Sequence, residues 1–243
     1  MDWTAEVTAP FTPQAYYDEL QGLADATDVD YQTLLRLNMF AELTKASCSF
    51  FGAWGSATAS TGKTFQLRAL DYDTTGPFKD YPQITVYHPD DGYAFANVGW
   101  PASIGVLTGI SSQQLSVSEI GVTFPDDSFG QGTENTPPEK VKGEPWMFIV
   151  RDVLQHTDSL DAGLEYIENA NRTCNLIIGL GDGEEGLVNG IEFSGYVAIP
   201  YNDTTLLPVN DTWHPQIENV VYNGMDWLWY YMLWSVCDFF DFM

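Results

Sequence analysis

The 243-residue sequence predicts an α+β domain in which antiparallel sheets are covered by helices. Two observations carry this. Apolar residues recur at helical spacing, then alternate, then return to helical spacing, then alternate again. Blocks of that kind favour antiparallel sheets with helices packed on them over a run of βαβ units. Hydrophobic residues make up 44% of the chain and aromatics 14%, ample for a buried core. The length suits one domain, or one and a short extension.

The elements follow in order. Residues 12–25 read as a helix: Thr12 is a candidate cap, Pro13 suits the first turn, and Tyr16, Leu20 and Leu23 share a face. Residues 28–45 read as a second, with Leu34, Leu35, Met39 and Phe40 in its stripe. From Cys48 the period changes to two. Strands are expected at 48–53, 64–68, 84–87, 93–96, 104–107, 115–119 and 121–124, separated by turn residues such as Pro89-Asp90-Asp91-Gly92. Residues 125–144 read as a polar loop rich in Pro and Gly. Two amphipathic helices follow, over 145–156 and from a cap at Ser159 through Ile167. Strands return at 174–180 and 187–199. The tail from Trp227 to Met243 is densely apolar but interrupted by Asp238 and Asp241, so it reads as a buried strand or chain end rather than a membrane span.

Charge excludes whole classes of partner. Nine Lys and Arg stand against 34 Asp and Glu, for a net charge of −25. Nucleic acid needs a basic surface, and an anionic membrane would repel this one. Excess carboxylate is better tolerated at low pH, which suits a lysosomal or secreted protein. Three sequons, at Asn171, Asn202 and Asn210, lean the same way as glycosylation sites. Met1-Asp2-Trp3-Thr4 lacks the basic segment and apolar run of a signal peptide, so the expectation is either a cytosolic protein or a chain whose true N-terminus is missing. Cys48, Cys174 and Cys237 form no zinc-type spacing, and neither a metal nor another cofactor is expected.

The chemistry centres on Cys48, which opens a strand after Ala46-Ser47. A cysteine attacks carbonyls as the thiolate and needs a base. His88, His156 and His214 are each more simply read as turn or helix-end residues. The alternative base is the α-amine freed by cutting the chain before the nucleophile, whose pKa near 8 lets it take the thiol proton. That arrangement needs a removable N-terminal segment, a nucleophile opening a strand, and a polar pair to fix the amine. Residues 1–47, Cys48 and the pair Arg68/Asp71 supply all three.

Cys48-Ser49-Phe50 followed by Leu67-Arg68-Ala69-Leu70-Asp71-Tyr72 resembles the Cys-x-x … Arg-x-x-Asp pattern of cysteine N-terminal-nucleophile (Ntn) hydrolases. Supporting stretches are 105–109, 121–125, 145–154 and 171–177, and the likeness is strongest to the acyl-coenzyme A:6-aminopenicillanate acyltransferase branch, related to acid ceramidase and choloylglycine hydrolase. The resemblance implies a four-layer αββα sandwich, truncated at its C-terminus, with residues 1–47 as a helical propeptide and 48–243 as the catalytic domain. It implies self-cleavage between Ser47 and Cys48, then attack by Cys48 on a non-peptide N-acyl amide or acyl thioester, giving a thioester resolved by water or an amine. Arg68 would hold the thiolate or substrate, and Asp71 would orient the new amine. An assisting asparagine corresponds to Asn223 or Asn175, and an oxyanion donor to the position of Thr123. The alternatives are an inactive relative that binds lipids or acyl amides in the same cleft, and a papain-like Cys–His hydrolase.

Overall fold

The frame that holds Cys48 is a pair of stacked antiparallel sheets. A computed structural model describes residues 1–43, 47–58, 61–71, 76–121, 141–206 and 215–224. The smaller sheet has the order β10 (Val220–Gly224), β1 (Ser47–Ala53), β2 (Phe65–Asp71). The larger runs in sequence order from β3 (Gln83–Tyr87), β4 (Phe95–Gly99), β5 (Thr108–Ser111) and β6 (Leu115–Gly121) to β7 (Asn175–Asp182), β8 (Leu187–Ser194) and β9 (Ala198–Tyr201). Every pairing in both sheets is antiparallel.

Two cores lie on either side of the larger sheet. One, between the sheets, gathers Cys48, Phe50, Ile120, Ile177, Val188 and Val221. The sheets approach closely there: a Cβ on Gly179 would sit 2.2 Å from the Phe50 ring, and one on Gly52 2.6 Å from Val188. Gln66 bridges the sheets through polar groups, donating to Ser118 Oγ and the Gly179 carbonyl while Ser116 Oγ donates to it. The other core joins the larger sheet to the helices α1 (Asp2–Thr8), α2 (Gln14–Thr27), α3 (Tyr31–Leu43), α4 (Trp146–His156) and α5 (Leu160–Asn169). Among the described residues the layers therefore number three. The outward face of the smaller sheet carries Phe65 and Leu67, 54% and 56% exposed.

The N-terminal helices belong to this second core. Leu20, Leu34 and Met39 cluster with Phe148, Ile149 and Leu176. Tyr16 stacks on Phe148 at 4.2 Å and its hydroxyl donates to the Asp152 carboxylate, to which Tyr166 also donates at 2.8 Å. Arg151 pairs with Glu19 at 2.8 Å and lies over the Tyr87 ring. Glu42, near the end of α3, accepts from the Trp146 backbone N–H at 2.7 Å and the Thr173 hydroxyl at 2.9 Å. It thus serves as acceptor for the first turn of α4, where Pro145 has no side chain to do so.

Local chemistry accounts for the departures from expectation. Helix α2 begins after Pro13, because the Thr12 hydroxyl turns back to the Thr8 carbonyl. It ends where Asp28 adopts a left-handed φ of 57°, and Asp30 accepts from the Thr33 N–H to start α3. Residues 104–107 are apolar loop rather than strand. Asn97 donates to the Ser103 and Gly105 carbonyls, Arg151 donates to the Ile104 carbonyl, and the Val106 N–H donates to Met147. The expected strands at 115–119 and 121–124 begin as one continuous strand, β6, and residues 122–140 lie outside the described residues.

Candidate active site

Strand register places the predicted residues. Ser47 pairs with Asp71, Cys48 with Leu70, and Phe50 with both Arg68 and Asn223. Side chains alternate along a strand, so Cys48, Phe50, Leu70, Arg68 and Asn223 share the face turned toward the larger sheet. Arg68 is then the diagonal neighbour of Cys48, and its Nη2 lies 3.5 Å from Cys48 Sγ. The same guanidinium forms an ion pair with Glu119 of β6 at 3.1 Å, and its Nε also donates to the Glu119 carbonyl. Both members of the pair are buried.

Burial and neighbouring groups act on the Cys48 thiol in opposite senses. Burial pushes its pKa up, and the Glu119 carboxylate adds to that. The Arg68 guanidinium and the backbone N–H groups of Gly121 and Asp71 work the other way. Three donors thus converge on sulfur, as a developing thiolate requires. Burial also raises the Glu119 and Asp71 carboxyls above their ordinary range, with Arg68 opposing in each case. The Asp71 Oδ2 oxygen is shielded from solvent and has no hydrogen-bond partner among the described residues. It belongs to the residue directly across from Ser47, one position before Cys48.

Beside the Arg68–Glu119 pair opens a cleft of about 80 Å3 bounded by Leu70, Phe78, Trp100, Trp146 and Phe40 of α3. Among the described residues no group of three or more His, Cys, Asp or Glu is placed to hold a metal ion.

Comparison with known proteins gives the following. No family model matches the chain. Two curated proteins of Dictyostelium discoideum are similar to it. Protein dcd1A is 36% identical over 234 residues, covering 91% of this chain and 50% of the relative. Protein dcd1B is 38% identical over 229 residues, covering 91% and 43%. The chain spans about half the length of the curated relatives it matches. Solved structures similar to it include a Caenorhabditis elegans N-acylethanolamine-hydrolyzing acid amidase ortholog, at TM-score 0.47 and 20% identity over 74% of this chain and 70% of that one. Penicillin V acylase from Agrobacterium tumefaciens follows at TM-score 0.43 and 13% identity, over 74% and 53%.

The remaining expected site residues are placed unevenly. Asn223 shares the inward face but donates to the Tyr201 hydroxyl at 3.2 Å. Asn175 is buried at the start of β7, whose next residue pairs with Gly121. Neither His88 nor His156 is hydrogen-bonded to Cys48; His156 lies 3.9 Å from Asp152 on α4. Of the sequons, Asn171 is exposed, whereas Asn202 folds its amide oxygen onto Thr204. Thr123, Asn210, His214, Cys237 and the 227–243 tail lie outside the described residues. Glu119 is the site residue that sequence reasoning passed over. Its signal was a single acid among small and apolar residues in Ser116-Val117-Ser118-Glu119-Ile120, which demands a buried partner.

Proposed function

We propose that the chain is a self-processing cysteine amidohydrolase or acyltransferase of the Ntn type, acting on non-peptide N-acyl amide bonds. The observation that carries the reading is the set of groups around Cys48: a guanidinium 3.5 Å from sulfur, with a carboxylate oxygen, unpaired among the described residues, on the residue across from Ser47.

In the proposed sequence, Cys48 Sγ first attacks the Ser47 carbonyl. The C–N bond breaks, the amide nitrogen takes the thiol proton, and a thioester forms. Water hydrolyses it, leaving the Ser47 carboxylate, a free thiol and the Cys48 α-amine. That amine gains Asp71 as hydrogen-bond acceptor and becomes the base for the second stage. It takes the thiol proton as sulfur attacks the substrate carbonyl, then returns it to the departing amine. Water or an acceptor amine resolves the acyl thioester. Arg68 stabilises the thiolate throughout, and residues 1–47 are the piece released as a separate chain. The acidic composition and the exposed Asn171 support a glycosylated protein of a lysosomal or secreted setting.

Mass spectrometry of protein incubated at acid pH tests the first stage. Wild type gives a fragment beginning at Cys48, and Cys48→Ala stays intact. An uncut wild type with full amidase activity overturns the reading.

A further inference from the structure

Helix α3 lies in the segment that the proposed cut would separate, yet it grips the loop that leads to Glu119. Asn38 of α3 is only 4% exposed. Its Nδ2 donates to the Ala102 carbonyl at 2.9 Å, and its Oδ1 accepts from the Ile104 N–H at 2.9 Å. Nδ2 also donates to the Leu34 carbonyl of its own helix. Asparagine is a weak helix former, and beside Leu34, Leu35 and Met39 an apolar residue would serve the core alone. The amide is there for the loop. Ala102 needs the hold, because its φ of 67° lies in the left-handed region that a residue with a Cβ seldom adopts.

The loop passes its position on. From the other side Asn97 donates to the Ser103 and Gly105 carbonyls and Arg151 to that of Ile104. A Cβ on Gly105 would meet Met147 Cγ at 2.2 Å, so the loop lies flat against α4. At its far end the Leu107 carbonyl accepts from the Glu119 N–H at 2.8 Å. Glu119 holds Arg68 by its carbonyl and its carboxylate, and Arg68 reaches Cys48 Sγ.

We propose that Asn38 is a positioning residue for the Arg68–Glu119 pair: through the 102–107 loop it fixes where Glu119, and with it the guanidinium beside Cys48, stands. Its service to catalysis rests on the function proposed above; its hold on the loop does not.

The charged groups that act on Cys48 are Arg68 of β2 and Glu119 of β6, joined by the backbone N–H groups of Gly121 and Asp71. A displaced Arg68 opposes burial less well, so the thiolate forms at higher pH. Alkylation of Cys48 by iodoacetamide from about pH 6 to about pH 11, read by peptide mass spectrometry, gives that inflection. Easier access to the thiol would raise the rate at every pH and leave the inflection in place. In Asn38→Ala the inflection is expected about one pH unit above wild type. Asn38→Gln keeps both polar groups on a longer arm, folds more readily, and moves the inflection the same way by less. Leu20→Ala, a core truncation on α2, lowers stability and leaves the inflection where it is. An inflection unmoved in both Asn38 variants overturns the proposal, and so does one moved as far by Leu20→Ala. If Asn38→Ala does not fold, Asn38→Gln decides alone. The intact mass of the same wild-type samples separates the two readings. Wild type that never cuts, while the Asn38 variants shift the inflection, leaves the positioning role standing and sinks the reaction. Wild type that cuts, with no shift in either variant, does the reverse.

Discussion

Arg68 and Glu119 meet at 3.1 Å with only 7% of each side chain exposed. Ions taken out of water incur a large desolvation cost, which their mutual attraction and hydrogen bonds offset only while both are present. Removing one member should therefore hurt far more than removing both. In a Cys48→Ala background, Arg68→Met is expected to lower unfolding stability by about 3–5 kcal/mol, because it strands the Glu119 carboxylate. Arg68→Met with Glu119→Leu should regain most of that loss, and urea titration of the three proteins measures it. Additive losses would show that the two side chains act independently. This pair also marks the limit of the sequence at residue scale. The nearness of Cys48 and Arg68 was legible because they sit on two consecutive strands whose two-residue period turns both to one face, whereas Asp71 lies across from Ser47. Glu119 comes from the other sheet, 51 residues after Arg68, and no local pattern announces contact across sheets.

At the scale of elements, legibility followed the burial pattern. Helices α4 and α5 and strand β7 were evident because a continuous apolar stripe or run has one simple explanation. Residues 104–107 were misread because buried loop and buried strand share the same apolar composition; what decides is that Asn97 and Arg151 satisfy the loop's carbonyls. Strand β10 went unrecognised because Val220 to Gly224 is short and its partner β1 lies far away in sequence. The glycines of β7 were a clearer signal than they looked. Gly179 exists where Phe50 of β1 presses on it, and a methyl group there would lie 2.2 Å from the ring. Gly179→Ala must push the sheets apart or turn Phe50 aside, at a cost of about 1–3 kcal/mol. Since Phe50 is two residues from Cys48 on the same face, the displacement should reach Cys48. The proposed self-cleavage is then expected to slow along with the loss in thermal stability, whereas Gly22→Ala, on an open surface in the middle of α2, should leave cleavage unchanged and raise stability by about 0.5–1 kcal/mol.

For the whole molecule, the governing quantity is carboxylate charge. Two half-buried acids carry large upward shifts: Glu42, which ties α3 to the first turn of α4 and to Thr173, and Glu144 near Asp152. Burial lifts Glu42 to about 7 from an ordinary 4.5, with the Trp146 N–H and Thr173 hydroxyl opposing. Burial and the nearby Asp152 lift Glu144 to about 8. Asp152, which acts on Glu144, is itself faced by Tyr16, Tyr166 and His156, with the Arg151–Glu19 pair on the adjoining residue. Between the unfolded and folded values the native state holds more protons than the unfolded state, so stability falls as pH rises. The fall should run from roughly pH 4.5 to pH 8 and flatten above it, approaching about 1.4 kcal/mol per pH unit for each whole proton of difference. Asp2, lowered to about 2 by Arg36, acts in the opposite direction but only below this window. The net charge of −25 adds self-repulsion of the same sign as the fall. Urea midpoints of Cys48→Ala protein at pH 5, 6, 7 and 8 should therefore decline steadily. Glu42→Gln keeps the acceptor for Trp146 and Thr173 but cannot ionise, so it should make the decline between pH 5 and 7 shallower, to about half, while leaving the decline up to pH 8 that belongs to Glu144. A midpoint that rises across this range would mean the two acids are ionised in the fold at acid pH. The N-terminal helices would then be held most firmly near neutrality, the reverse of what a chain suited to an acidic compartment requires.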